Sequence, residues 1–304
     1  MTKLRVAYIP EHFSTPLFFA EQQKYYASKG LEIEFVQVLE GTGRLVKMLN
    51  AKEVDLAIGL TEGFVADIGN GNDAYKIVDT YVTSPLCWAV STGAEREDIT
   101  KLEDLQGKKI GVSRIGSGSY IMSFVLGHQL AFAEPFFSGY PTRSTFKNLR
   151  DSVNLVGDNV EDHSDAFMWE HFTSKKYYDS KEIKKIGEIY TPWPSWVVTA
   201  RSELLSENYA DVAKFINAIN EGVQYFEAHH DEAVTYIHTN LDYSKEDATE
   251  WMKTVTFNNK IGTAPLDWSA VVTKTADVLK TAGVLKDDEA TINGRLGSGI
   301  LKQV

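Results

Sequence analysis

Short apolar runs alternate with amphipathic helical stretches through the first third of the chain, and this alternation limits the fold more than any other feature of the sequence. Strands are expected at Leu4–Ile9, Ile33–Val38, Val54–Ile58 and Ala74–Val82, with helices near Pro16–Ser28, Thr42–Asn50 and Glu62–Ile68 between them. Consecutive parallel strands need a crossover segment, so the rhythm predicts a mostly parallel sheet covered by helices on both faces.

The rhythm restarts after the polar stretch Thr92–Lys101. Lys109–Ser113 reads as a strand leading through the loop Arg114–Gly118 into a helix over Ser119–Phe132, and strands follow at Asp165–Trp169 and Ile183–Tyr190, separated by a charged helical segment, Glu170–Asp179. Beyond Thr191–Trp196 only amphipathic helices are predicted, near Glu207–His229, Asp231–Asn240, Ser244–Thr254 and Asp267–Ala282. Ser244 with Asp247 resembles a capping box, and Gly283 suits a helix C-cap. A tail without strands must pack on something already built, and the simplest solution returns it to the first lobe. The expected fold is therefore α/β and two-lobed, with residues 1–87 and 197–304 in lobe I and 88–196 in lobe II. The chain then crosses between lobes near 83–91 and 191–199, both of which carry proline and tryptophan.

Composition removes several classes of function. A formal net charge of -11 opposes binding to nucleic acid, which depends on clustered Lys and Arg releasing counterions. The single cysteine, Cys87, excludes an internal disulfide, a cysteine-based zinc finger and an iron–sulfur cluster; it lies in the apolar run Leu86–Val90 and reads as a core residue. No window is long and apolar enough for a membrane span. Met1-Thr2-Lys3 leads straight into a strand, which gives a cytoplasmic expectation for the chain as written, with export only if a leader has been removed.

In open α/β sheets ligands bind beyond the carboxyl ends of strands, so the loops there hold the candidate residues. The first loop offers His12 and Phe13, the second Thr42 and Arg44 in Gly41-Thr42-Gly43-Arg44, the third Thr61 and Glu62. The loop opening lobe II, with Arg114, Ser117, Gly118 and Ser119, carries the most information. Its glycines admit close backbone approach, and its serines add hydroxyls at a helix N-terminus carrying about half a positive charge, a combination suited to an anion. The same residues also serve as an ordinary turn with a serine N-cap. Trp169 and Glu170 at a strand end, and Trp193 at the second crossing, add aromatic surface and a carboxylate. Neither glycine loop is a nucleotide P-loop or a dinucleotide fingerprint, no Gly-x-Ser-x-Gly elbow is present, and His229, His230 and His238 lack zinc-protease spacing; no cofactor or metal is expected.

Leu4–Pro10 with its aromatic loop, Val54–Gly59, Leu102–Val112 and Asp165–Phe172 together resemble the type II periplasmic-binding-protein-like family, which includes sulfonate, taurine and nitrate binders and thiamine-pyrimidine-precursor proteins. The resemblance covers nearly the whole chain, and its most specific part is the Leu-x-Asp-Leu-x-Gly-Lys turn of Leu102–Lys108. It implies a hinge-bending clamp whose ligand touches strand-end loops of both lobes. It also implies a membrane-transporter partner if the protein is exported. The family's fungal pyrimidine synthases carry a cysteine-rich motif, from which this chain departs with Cys87 alone. The reading is non-enzymatic binding of a small polar or anionic molecule. The alternative is a cytoplasmic enzyme of pyrimidine or sulfur metabolism with His12, Glu62 or Glu170 as acid or base.

Overall fold

β1 (Thr2–Tyr8) opens the computed structural model, which describes residues 1–303. Its side chains Leu4, Val6 and Ala7 are buried, and it pairs in parallel with β2 (Leu31–Gln37) and β3 (Leu56–Leu60). The helices α1 (Thr15–Gln22) and α2 (Tyr25–Ser28) occupy the stretch expected as one helix, because Lys24 takes a left-handed φ of 61° between them. They are followed by α3 (Thr42–Asn50), α4 (Thr61–Gly69) and β4 (Tyr75–Val82). β3 is buried almost throughout, as a strand covered on both faces requires. A Cβ on its Gly59 would fall 2.7 Å from Leu45 Cδ1, so α3 packs against bare backbone there.

The chain continues through β5 (Cys87–Gly93), β6 (Ile110–Gly111), α5 (Gly118–Gln129), α6 (Phe146–Val153), β7 (Ala166–Glu170), α7 (His171–Asp179) and β8 (Ile183–Tyr190). It then enters β9 (Trp196–Arg201) and the helices α8 (Ser202–Glu207), α9 (Tyr209–Ala228), α10 (His230–Asn240), α11 (Lys245–Met252), α12 (Lys274–Thr281) and α13 (Glu289–Gly299). Contacts divide the chain into a first unit, made of Met1–Pro85, Trp193–Ala276 and the residues from Leu285 onward, and a second, made of Leu86–Pro192 and Asp277–Val284. Among the described residues no helix is long and apolar enough to cross a membrane.

The first unit's sheet has the order β2-β1-β3-β9-β4, and the second's the order β6-β7-β5-β8. Each is mostly parallel with one reversed strand. β9 lies antiparallel to both β3 and β4, and β5 antiparallel to both β7 and β8. The stretches expected as plain crossings thus continue directly into strands at interior positions. Asp55, at the mouth of β3, ties the first sheet together: its carboxylate accepts from Arg5 Nη2 at 3.0 Å and from Arg201 Nη2 at 2.8 Å. Burial pushes that carboxyl upward, but the Arg5 and Arg201 hydrogen bonds outweigh it and hold the group below its ordinary value.

The helical tail packs largely on the first unit. α9 meets α1 closely enough that a Cβ on Gly222 would collide with the Pro16 carbonyl. Ser244 caps α11 by accepting from Asp247 N at 3.0 Å, and Gly283, with φ of 65°, ends α12 as expected. The expectation that the whole tail returns to the first lobe is corrected at Asp277–Val284, which clusters with the second unit, where Tyr120 donates to the Ala282 carbonyl at 3.3 Å. In that unit Leu149, Val153, Phe167 and Ile183 form a small core. Arg150, buried beside it, donates to Glu182 at 2.8 Å and lies 3.6 Å from the Tyr177 ring centre.

Candidate functional site

In the first unit, the strand-end residues hold one another. Thr42 Oγ1 accepts from Leu60 N at 3.0 Å, which fixes the start of α3 to the end of β3. Thr61 donates from its hydroxyl to Pro194 O at 2.5 Å and from its amide to Ser195 O at 3.0 Å. Beside it, Glu62 is fully buried in the first turn of α4 and accepts from Trp193 Nε1 at 3.1 Å. Thr42, Thr61, Glu62 and Trp193 are therefore brought together at the carboxyl end of β3.

His12 and Phe13 stand in a second group, an aromatic cluster in the same unit. His12 is fully buried between the rings of Tyr243, 4.4 Å away and 11° from parallel, and Trp251, 4.2 Å away at 15°. Burial pushes its imidazole well below the ordinary range, so the ring is neutral at pH 7. Phe13 packs against Trp196 with ring centres 5.0 Å apart, and its carbonyl accepts from the Tyr81 hydroxyl at 2.8 Å. Arg44 is held by Glu53 at 2.7 Å.

The second unit presents its strand-end residues differently. Gly116 adopts a φ of 80°, turning the loop so that Ser117 becomes the N-cap of α5. Ser117 Oγ accepts from Tyr120 N at 3.4 Å and lies 3.0 Å from Ser119 Oγ. Gly118 and Ser119 are the first residues of a helix of 12, so their amides have no acceptor within it and carry the positive end of its dipole. Arg114 on the same loop is exposed. At the end of β7, Trp169 is half-buried and stacked on Phe146, ring centres 4.8 Å apart at 11°. Glu170 is buried and caps α7, accepting from Thr173 N at 2.6 Å; burial pushes its carboxyl up to about 7, against the pull of that bond.

Two features escaped the sequence reading. Tyr243 and Trp251, which enclose His12, lie on the tail with no local pattern linking them to the first loop. Cys87, expected in the core, is only half-buried. Its Sγ lies 3.7 Å from Glu188 Oε2, and burial pushes the thiol up to about 12.

Two α/β units, each mostly parallel and each receiving one reversed strand from a chain crossing, define a type II periplasmic-binding-protein-like architecture. A family described as Ca3427-like PBP matches residues 88–189, and one described as NMT1/THI5 like matches residues 11–136. The solved structure of the CA3427 gene product of Candida albicans is 58% identical, covers 100% of this chain and 97% of its own, and superposes with a TM-score of 0.94. The chain belongs to the family that this gene product defines, whose members exhibit the generic periplasmic binding protein fold. The alkanesulfonate-binding protein SsuA of Xanthomonas axonopodis pv. citri, bound to MOPS, shares the fold at 12% identity, covering 99% of this chain and 98% of its own with a TM-score of 0.76. The nitrate-binding protein NrtA of Synechocystis does so at 12% identity, covering 99% and 86%, with a TM-score of 0.74. Among curated proteins, none matches the chain.

Proposed function

We propose that this protein binds a small polar or anionic organic molecule, of the sulfonate or pyrimidine-precursor kind, and performs no chemistry on it. The observation that carries this reading is the start of α5, where Gly118 and Ser119 offer amides and the Ser117 and Ser119 hydroxyls lie 3.0 Å apart. Such donors bind an oxyanion without a countercharge, and the exposed Arg114 on the same loop adds one. Trp169, half-exposed, supplies a flat apolar face for the body of the ligand. In this reading the strand-end loops of the other unit complete the contacts, and closure of the two units excludes water. The family fold, shared with sulfonate and nitrate binders, supports it.

The test is calorimetry of the purified chain against taurine, a longer alkanesulfonate, nitrate and an aminopyrimidine. Binding of at least one is expected, with Ser117→Ala/Ser119→Ala weakening it roughly tenfold or more, since a hydrogen bond to a charged group contributes about 1.5–3 kcal/mol. Absence of binding across the panel, or affinity unchanged in both the serine variant and Trp169→Ala, would overturn the proposal.

A further inference from the structure

Cys87 begins β5 directly opposite Tyr190, and Glu188 stands opposite Ala89 on the same strand pair. Side chains alternate along strands, so Cys87, Tyr190 and Glu188 share one face of the second unit's sheet, with the small Ala89 on the same face. His171, the first residue of α7, reaches the same place from the other side of β5, whose other neighbour is β7. One ligand atom from each of Cys87, His171 and Glu188 lies within 4.8 Å of the others.

These three atoms suit a metal ion in type as well as position. With metal–sulfur bonds near 2.3 Å and metal–oxygen bonds near 2.1 Å, a tetrahedral site separates sulfur from oxygen by about 3.6 Å. The Cys87 Sγ to Glu188 Oε2 distance is 3.7 Å. The Tyr190 hydroxyl donates to Glu188 Oε1 at 2.8 Å, which orients the carboxylate and leaves Oε2 facing the gap, as outer partners of metal ligands do. Lys185 Nζ contacts both Glu188 Oε2 and His171 Nδ1, the latter at 3.5 Å. An ammonium only donates, so Nδ1 presents its lone pair to the gap. The protein thus already places a cation among these ligands.

We propose that Cys87, His171 and Glu188 form a binding site for a late first-row divalent cation, Zn2+ above all, which displaces the Lys185 ammonium. A thiolate, an imidazole and a carboxylate are borderline-soft donors suited to this group of ions and unsuited to Mg2+ or Ca2+. On binding, the sulfur–metal bond forms as the S–H bond breaks, the proton passes to solvent, and Lys185 turns outward with its own protons retained. Three protein ligands leave a fourth position for water or a solute oxygen. This proposal is independent of the binding function above.

The probe is Co2+ alone, added to the purified full-length chain and followed by visible and near-ultraviolet absorption, with Zn2+ as competitor. Because the chain has one cysteine, a thiolate-to-cobalt charge-transfer band identifies Cys87. Such a band is expected at one equivalent, removed by Zn2+ and absent in Cys87→Ser. Affinity is expected to fall at least tenfold in His171→Ala and Glu188→Gln and to rise in Lys185→Met, a variant that leaves all three ligands in place. Cobalt binding without the charge-transfer band, no cobalt binding at all, or a band that survives His171→Ala and Glu188→Gln at full affinity would overturn the proposal.

Discussion

In the first unit, the strand-end residues Thr42, Thr61 and Glu62 are hydrogen-bonded inward, to Leu60, Pro194 and Trp193, and His12 is enclosed by two aromatic rings. In the second unit Arg114 and Trp169 stand at strand ends and keep part of their surface open, and the first amides of α5 point out of their helix. Similar residue types occupy similar places in the two sheets. The difference is one of exposure: Thr42, Thr61, Glu62 and His12 are buried in their own unit, while Arg114 is exposed and Trp169 only half-buried. A polar residue beyond a strand is therefore a weak sign of ligand contact until its partners are known.

The contrast breaks first at Asp55, if the first unit is held by internal polar pairing. Asp55→Ala leaves Arg5 and Arg201 without their shared carboxylate, and a loss of about 3–5 kcal/mol in unfolding free energy is expected from urea titration. A loss below about 1 kcal/mol would show that the pairing contributes little.

A somewhat smaller effect is expected from Asp79, also in the first unit but with amide partners only among its closest contacts, Gly262 N and Thr80 N at 2.7 Å each. Burial raises its carboxyl from 3.8 to about 6, against the pull of those two bonds. The folded state therefore holds the proton more tightly than the unfolded state. Its contribution to stability is full below pH 3.8 and is lost as pH rises to about 6. The loss is of the order of 2–3 kcal/mol. Stability measured across that window should fall for the parent chain and fall less for Asp79→Asn; equal slopes would refute this origin. The smallest effect on stability belongs to the second unit. Arg114→Ala should change unfolding free energy by less than about 0.5 kcal/mol while weakening whatever anion calorimetry detects. A large loss of stability there would erase the contrast between the units.

Much of this architecture was legible where local signals agree. The bounds of Thr42–Asn50 and Ile183–Tyr190 match the expectation: the helix has apolar residues at helical spacing, and the strand is rich in β-branched isoleucine, with Ile183, Ile186 and Ile189. The Leu102–Lys108 turn is legible for a chemical reason as well: Asp104 accepts from Thr100 N and Lys101 N, and Gly107 takes a φ of 71°. Legibility fails where tertiary contacts decide. The strand expected over Lys109–Ser113 shortens to Ile110–Gly111, since Lys109 and Val112 form only single bridges, to Gly139 and Thr142. α13 contains Gly294, Gly297 and Gly299, a composition that argues against a helix. It forms because Asp288 caps it and Gly299 lets it press on Ile68. The Cys87, His171 and Glu188 group left no trace in the sequence, because antiparallel pairing and not spacing assembles it.

The reversed strands also set an order of events during synthesis. β9 fills the gap between β3 and β4, yet it emerges from a ribosome only after every strand of the second sheet has been made. The nascent first half therefore waits, with two strand edges exposed, while the inserted half completes its hydrogen bonding. A chain stalled before Trp196 carries one finished sheet and one open one, and the open one belongs to the segment made first.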